Sequence, residues 1–176
     1  MRGGSATPVR AILLDGSALH ADVKDGLGAV ESAHKAYLDE AIRGQFADSI
    51  DLDVAMRPGR EGENRWDYLL GHAPSSSAIG LEPHSAKTDE IDTVIRKRRA
   101  ALDQLAAHLK PGALVSDWLW VASGDVHFAD TERARRRLDQ LGIRFVDKRV
   151  LAKHLPATPK RRTSRRGRDR ERPRDA

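Results

Sequence analysis

The sequence predicts an α/β domain in which helices cover both faces of a mixed central sheet. Several apolar runs have the length of strands, and the run ALVSDWLWVASG at residues 113–124, rich in Val, Leu and Trp, is the strongest of them. Residues 88–109 and 130–142 instead place their apolar side chains at helical spacing. Because helices separate the later strands, we expect mixed strand directions and helices on both faces of the sheet.

The first part of the chain predicts a short strand or apolar lead-in, followed by a helix and a strand. Residues 8–16 (PVRAILLDG) form an apolar run that ends at an Asp-Gly pair. Residues 26–44 carry apolar side chains at helical spacing, and Gly44 is a suitable stop for a helix. Residues 49–56 (SIDLDVAM) alternate between apolar and acidic side chains, which is typical of a half-buried strand, and a turn-rich loop follows at 57–64.

The middle of the chain predicts two neighbouring strands and a long helix. WDYLLG (66–71) and SAIGLEPHSA (77–86) are strand-like runs joined by the short loop HAPSS. Thr88 is a suitable N-cap for the helix at 88–109, and the acidic pair after it suits the positive end of the helix dipole. A last strand is expected at 143–150. The predicted order is therefore α-β-β-β-α-β followed by α-β.

The positive charge of the chain is concentrated at its C-terminal end. The sequence has 176 residues and a net charge of +5, but residues 156–176 contain nine basic and three acidic side chains. Residues 1–155 have 22 basic and 23 acidic side chains, a net charge of −1. We predict one folded domain at 1–155 and a disordered basic tail at 156–176, because the tail has almost no apolar residues to bury.

Composition argues against several kinds of chemistry. The chain has no cysteine, which excludes disulfides, thiolate zinc sites and a cysteine nucleophile. No glycine-rich phosphate-binding motif occurs, and the spacing of His72, His84 and His127 matches no zinc motif. The three tryptophans lie in predicted strands, so we expect them in the core rather than stacked on bases. With no apolar run long enough to span a bilayer and no signal-peptide pattern, we expect a cytoplasmic protein without a membrane partner.

Two carboxylates, Asp67 and Glu82, lie inside otherwise apolar runs. A buried carboxylate is unfavourable unless something compensates its charge. If the two strands are neighbours, these acids could bind one Mg²⁺ or Mn²⁺ ion, with Glu31 from the first predicted helix as a third oxygen ligand. Such an ion can activate a water molecule at a phosphate, and a nearby ammonium from Lys87 or Lys97 would neutralise the developing charge.

This order of elements and acids resembles the PD-(D/E)XK nuclease superfamily over more than half of the chain. The resemblance implies a restriction-endonuclease-like α-β-β-β-α-β core, with a further α-β unit after it. It also implies that Glu31 is the helix acid, Asp67 the second-strand acid and Glu82 the acid of the (D/E)-x-K motif. His84 stands where the motif has lysine, and the resemblance implies that Lys97 on the following helix can supply that charge.

Three functional hypotheses follow. The first is a metal-dependent nuclease that hydrolyses phosphodiester bonds, with Asp67, Glu82, Lys97 and His84 as catalytic residues and Mg²⁺ or Mn²⁺ as cofactor. The second is a catalytically inactive relative that tethers nucleic acid or binds a protein. The third is a partner-binding protein whose tail only aids solubility. Nucleic acid is expected to contact the basic tail and the basic run at 96–99, and the sequence leaves the oligomeric state open.

Overall fold

Five α-helices and six strands form the part of the chain that the computed structural model describes, residues 6–159. In chain order they are α1 (Pro8–Ile12), β1 (Lys24–Asp25), α2 (Glu40–Arg43), β2 (Phe46–Asp51), α3 (Leu52–Ala55), β3 (Tyr68–His72), β4 (Ser77–Lys87), α4 (Glu90–Leu105), β5 (Asp117–His127), α5 (Thr131–Gln140) and β6 (Ile143–Phe145). Short 3₁₀ helices lie at Ala18–Ala21, His34–Tyr37 and Ala152–His154.

The strands form one sheet in which their spatial order follows the chain, from β1 to β6. Neighbouring strands from β1 to β4 are antiparallel, whereas β4, β5 and β6 run parallel to one another. Parallel neighbours need a crossover connection, and α4 and α5 lie in those connections. The predicted α/β class with a mixed sheet is therefore confirmed.

Alternate side chains of the strands form two apolar cores, one on each face of the sheet. On one face, Leu69 and the tryptophans pack with apolar side chains of α1, α4 and α5. On the other face, Leu70 and Leu119 pack with the turn-rich segment before β2 and with the chain after β6. Trp66, Trp118 and Trp120 are at most 2% exposed, so the prediction that they are core residues is confirmed.

The predicted strand at 8–16 is wrong, because its first part is the short helix α1. Asp48 on β2 is fully buried and accepts hydrogen bonds from the backbone N–H groups of Val9 at 3.1 Å and Arg10 at 3.0 Å. These bonds satisfy donors that the first turn of a helix otherwise leaves free. Gly71 on β3 leaves room for this carboxylate, since a Cβ there would lie 1.9 Å from Asp48 Oδ1. A contact from a distant strand thus decides the local structure.

The predicted helix at 26–44 is also wrong. The segment consists of turns, the 3₁₀ helix at His34–Tyr37 and the one-turn helix α2, which is capped by the side chain of Asp39. Gly26 has a φ of 54°, a left-handed conformation that a continuous right-handed helix cannot contain. Val30 and Leu38 are nevertheless buried against the sheet. The helical spacing of apolar residues therefore reflected burial, not a continuous helix.

Two other predicted boundaries differ from the structure. The predicted strand at 49–56 ends at Asp51, whose side chain accepts a hydrogen bond from the Val54 N–H at 2.9 Å and so begins α3. Helix α4 begins two residues after Thr88, and the Thr88 hydroxyl accepts a hydrogen bond from the Ala129 N–H at 2.8 Å instead of capping the helix. Asp51, predicted to lie within a strand, therefore caps a helix, and Thr88, predicted to cap a helix, instead bonds to the backbone after β5.

The helix predicted at 130–142 is confirmed as α5. The Asp130 side chain accepts a hydrogen bond from the Arg133 N–H at 2.9 Å, and Gly142 just after the helix has a φ of 75°. Residues 156–159 have no regular secondary structure. The rest of the predicted tail, 160–176, lies outside the described residues.

Candidate active site

Asp67 and Glu82 lie opposite each other at the junction of β3 and β4. Tyr68 pairs with Leu81 in the antiparallel register, so Asp67, immediately before β3, faces Glu82. The backbone N–H of Asp67 donates a hydrogen bond to Glu82 Oε2 at 2.9 Å. The acids that the sequence marked in two separate runs are therefore direct neighbours.

Two tryptophans and a glycine determine where Asp67 lies. Trp66 and Trp118 pack edge to face with their ring centroids 5.1 Å apart. Gly80 leaves space for both rings, because a Cβ there would lie 2.6 Å from Trp118 Cε3 and 2.9 Å from Trp66 Nε1. Burial of Trp66 in this space holds the next residue, Asp67, beside β4.

Lys97 on α4 contacts both carboxylates. It follows Val94 by three residues and precedes Ala101 by four, so it lies on the stripe of the helix that packs on the sheet. Its Nζ is 3.4 Å from Asp67 Oδ1 and donates a hydrogen bond to Glu82 Oε1. The ammonium therefore lies between the two acids and compensates their charge.

Burial dominates the electrostatics of this cluster. Glu82 is fully buried, and its desolvation, together with the nearby charge of Asp67, raises the pKa of Glu82 to about 8. Burial also raises the pKa of Asp67, although the Lys97 ammonium opposes this change. For Lys97, burial acts to lower the pKa, but the two carboxylates outweigh it and raise that pKa. Lys97 is therefore a cation at neutral pH, and Glu82 holds a proton more readily than an ordinary glutamate.

His84 is held between two carboxylates. Its Nε2 is 2.8 Å from Glu90 Oε2, and its Nδ1 is 3.5 Å from Glu82 Oε1. The indole N–H of Trp120 donates to the His84 carbonyl at 3.2 Å, which fixes the backbone at this position. Both ring nitrogens therefore face carboxylates, but only the contact with Glu90 is a hydrogen bond. Glu90, at the start of α4, has no local sequence signal that would have linked it to this histidine.

Glu31 is not part of the cluster. It lies exposed in a turn rather than on a helix, and its backbone N–H is 3.5 Å from the hydroxyl of Tyr68, which packs in the opposite core. Lys87 is exposed at the end of β4. Within residues 6–159, no three histidine, aspartate or glutamate side chains converge as a ready-made metal site. The structure thus does not bring the predicted third ligand to Asp67 and Glu82.

The chemistry of the two remaining acids still suits a divalent cation. Mg²⁺ commonly binds proteins through one or two carboxylates and completes its coordination with water and substrate phosphate. Asp67 Oδ1 and Glu82 Oε1 already share one positive group, the Lys97 ammonium. The donor set therefore fits Mg²⁺ or Mn²⁺ held by Asp67 and Glu82 without a third protein carboxylate.

His72 and His84, whose spacing matches no zinc motif, also have their ring nitrogens occupied by other side chains. His72 is buried with Nδ1 2.6 Å from Ser75 Oγ and Nε2 3.0 Å from Gln45 Oε1, so both of its ring nitrogens are engaged in structural hydrogen bonds. His84 is engaged by Glu82 and Glu90, as described above. These histidines therefore have structural roles within the described part of the chain.

Comparison with models of protein families, with curated proteins and with solved structures found no match to this chain. The fold and the site themselves define a class: a mixed α/β protein with a buried cluster of Asp67, Glu82 and Lys97 beside the third and fourth strands. Among residues 6–159, no helix is long and apolar enough to cross a membrane.

Proposed function

We propose that this protein is a metal-dependent nuclease-like hydrolase that cleaves phosphodiester bonds of nucleic acid. One observation carries the proposal. Glu82 is fully buried opposite Asp67, and both carboxylates contact the ammonium of Lys97. Burying charged groups rarely increases the stability of a protein. Buried carboxylates with strongly perturbed pKa values are therefore more often found at functional sites than elsewhere.

The order of the elements supports the same proposal. Three antiparallel strands, β2 to β4, are followed by α4 and by β5 parallel to β4. Asp67 immediately precedes the second of these strands, Glu82 lies on the third, and the lysine lies on the helix after them, which is close to the placement implied by the resemblance to PD-(D/E)XK nucleases. The missing helix acid and His84 at the lysine position are the two departures from that pattern.

The reaction assigns a separate task to each residue. The oxygen of a water molecule forms a bond to phosphorus and the ester P–O bond to the leaving sugar oxygen breaks. The water releases one proton to solvent, and the leaving sugar oxygen takes up a proton from solvent to become a hydroxyl. A divalent cation held by Asp67 and Glu82 would supply positive charge at the phosphate and lower the pKa of water. Lys97 stabilises the negative charge that develops on the phosphate, because its raised pKa suits a cation and not a general base. His84, held by Glu90, borders the Glu82 carboxylate at 3.5 Å.

Nucleic acid is the proposed substrate because of where the basic side chains lie. In the basic run of α4, Lys97 and the partly buried Arg98 face inward, while Arg96 and Arg99 are exposed. These two arginines and the nine basic residues of the tail can neutralise backbone phosphates. Residues 1–155, which include these two arginines, have a net charge of −1, so we assign most of the non-specific affinity to the tail.

The test is cleavage by purified full-length protein with Mg²⁺ or Mn²⁺, on single-stranded and duplex DNA and RNA. We expect Glu82→Gln and Asp67→Asn to abolish cleavage while circular dichroism stays unchanged. Glu132→Gln is the matched control, because that glutamate is 88% exposed on α5 and, among residues 6–159, its ion pair is with Arg136 of the same helix. Cleavage that survives Glu82→Gln would refute the assignment.

A second function, an inactive relative that tethers nucleic acid, is favoured by one observation. The motif position that holds lysine in PD-(D/E)XK nucleases holds His84, whose nitrogens both face carboxylates. This function predicts salt-dependent binding to nucleic acid with no cleavage under any metal condition. The same cleavage assay, run beside a binding assay, separates the two functions.

A further inference from the structure

Lys97 contacts one oxygen of each carboxylate that a divalent cation would use. The Lys97 ammonium contacts Asp67 Oδ1 at 3.4 Å and hydrogen-bonds Glu82 Oε1. The other Glu82 oxygen already accepts the Asp67 N–H at 2.9 Å. An ion bound by both acids would therefore lie close to the ammonium, and repulsion between the two positive charges disfavours the present position of Lys97.

A buried carboxylate needs a positive partner whether or not a metal is bound. Glu82 is fully buried, so once it is ionised its charge cannot be compensated by water. Within the described residues, Lys97 is the only side chain that forms ion pairs with both Asp67 and Glu82. In the cation-free protein, Lys97 therefore compensates the negative charge that a bound metal ion would otherwise compensate.

Lys97 also has a path away from the acids. Its side chain is 16% exposed, so part of it reaches the surface of the domain. The four-carbon stem of lysine can remain packed on α4 while the ammonium moves outward into water. Exposed Arg96 precedes it on the same helix, so the outward position lies beside a surface that suits phosphate.

We propose that Lys97 is a displaceable counter-ion, which holds Asp67 and Glu82 in the cation-free protein and leaves both carboxylates when a divalent cation binds them. The inference rests on the proposed function, since it needs these acids to bind a metal. It adds that metal binding is coupled to a lysine movement, which delivers the ammonium to the substrate side only after the metal has bound.

The first experiment follows Lys97 in the wild-type full-length protein, with Mg²⁺ as the probe. An amine-reactive acetylating reagent is applied at pH 8.5 with and without excess Mg²⁺, and labelling of each lysine is measured by peptide mass spectrometry. We expect Mg²⁺ to increase Lys97 labelling several-fold. Lys148, ion-paired with Asp125 at 2.6 Å on the surface, is the internal control and should not change.

A parallel measurement separates failure of this inference from failure of the proposed function. Melting temperature is recorded with and without Mg²⁺ for wild type and for Glu82→Gln, because a ligand that binds only the folded state raises it. A Glu82-dependent rise with unchanged Lys97 labelling would overturn the displacement and leave the metal site intact. No rise and no change in labelling would overturn both proposals.

The variant Lys97→Met gives an independent check, since it keeps the length of the side chain without its charge. At pH 8.5, where protonation of the acids competes least, we expect Mg²⁺ to raise its melting temperature more than that of wild type. Lys148→Met, which removes a surface ion pair instead, should respond like wild type. An equal or smaller rise for Lys97→Met would contradict displacement.

Discussion

The buried carboxyl of Glu82 should make the protein less stable as pH rises, and Glu82→Gln should remove this effect. In the folded state, burial raises the pKa of Glu82 to about 8 from an ordinary value of 4.5. Between these two values the folded protein binds a proton that the unfolded chain has released. The free energy of unfolding therefore falls with increasing pH over this window.

The size of the effect follows from the width of the window. A gap of about 3.5 pH units, at about 1.36 kcal/mol per unit, corresponds to roughly 5 kcal/mol between pH 4.5 and pH 8. This is a large share of the 5–15 kcal/mol typical of a whole domain, as an order of magnitude. Glutamine keeps a carbonyl oxygen to accept the Asp67 N–H but cannot ionise, so its contribution should not change with pH.

The assay is urea unfolding of wild type, Glu82→Gln and the exposed control Glu132→Gln at four pH values from 5 to 8, without divalent cations. We expect the wild-type free energy of unfolding, relative to Glu82→Gln, to fall with increasing pH, by at most about 1.4 kcal/mol per pH unit near the middle of this range. The control should run parallel to wild type. Parallel curves for wild type and Glu82→Gln would show that burial does not raise the pKa of this carboxyl, and would refute the reasoning.

Three further predictions concern the surroundings of the site. Gly71→Ala should lower the free energy of unfolding by roughly 3 kcal/mol in urea titrations, because a Cβ 1.9 Å from Asp48 Oδ1 would break the buried hydrogen bonds that hold α1. Gly80→Ala should cost about 1–3 kcal/mol in the same titration and reduce cleavage, since it displaces Trp66 and with it Asp67. Truncation after Leu155 should weaken binding to duplex DNA, measured by fluorescence anisotropy, and reduce the dependence of this binding on salt. The melting temperature should stay nearly unchanged. Equal salt dependence for the full-length and truncated proteins would favour a tail that only aids solubility.

Much of the sheet could be predicted because the apolar composition of each strand indicates that it is buried. The runs around Asp67, Glu82 and Trp118 are apolar on both faces, and the structure gives each of them neighbours on both sides of the sheet. Residues 88–109 and 130–142 likewise have a clear helical period, and Asp130 caps the second of these helices. Where local signals and burial agreed, the element type was predicted correctly.

The N-terminal segments could not be predicted, because distant contacts decide them. The apolar run at 8–16 has no local signal for a helix, and the first turn of α1 is held by Asp48 on another strand. The segment at 26–44 buries apolar side chains at helical spacing in a series of turns. The assignment of Glu31 to a helix next to the acids failed for the same reason.

The departure at His84 changes the source of positive charge rather than its location. A lysine two residues after Glu82 would point to the same face of β4 as the glutamate. In this chain His84 occupies that place and is engaged by Glu90, while Lys97 brings an ammonium to Glu82 from α4. A buried carboxylate needs a positive group next to its oxygens, but that group can come from any helix or strand that reaches it. Short sequence motifs therefore describe such a site less well than the requirement that each buried acid has a cation within reach.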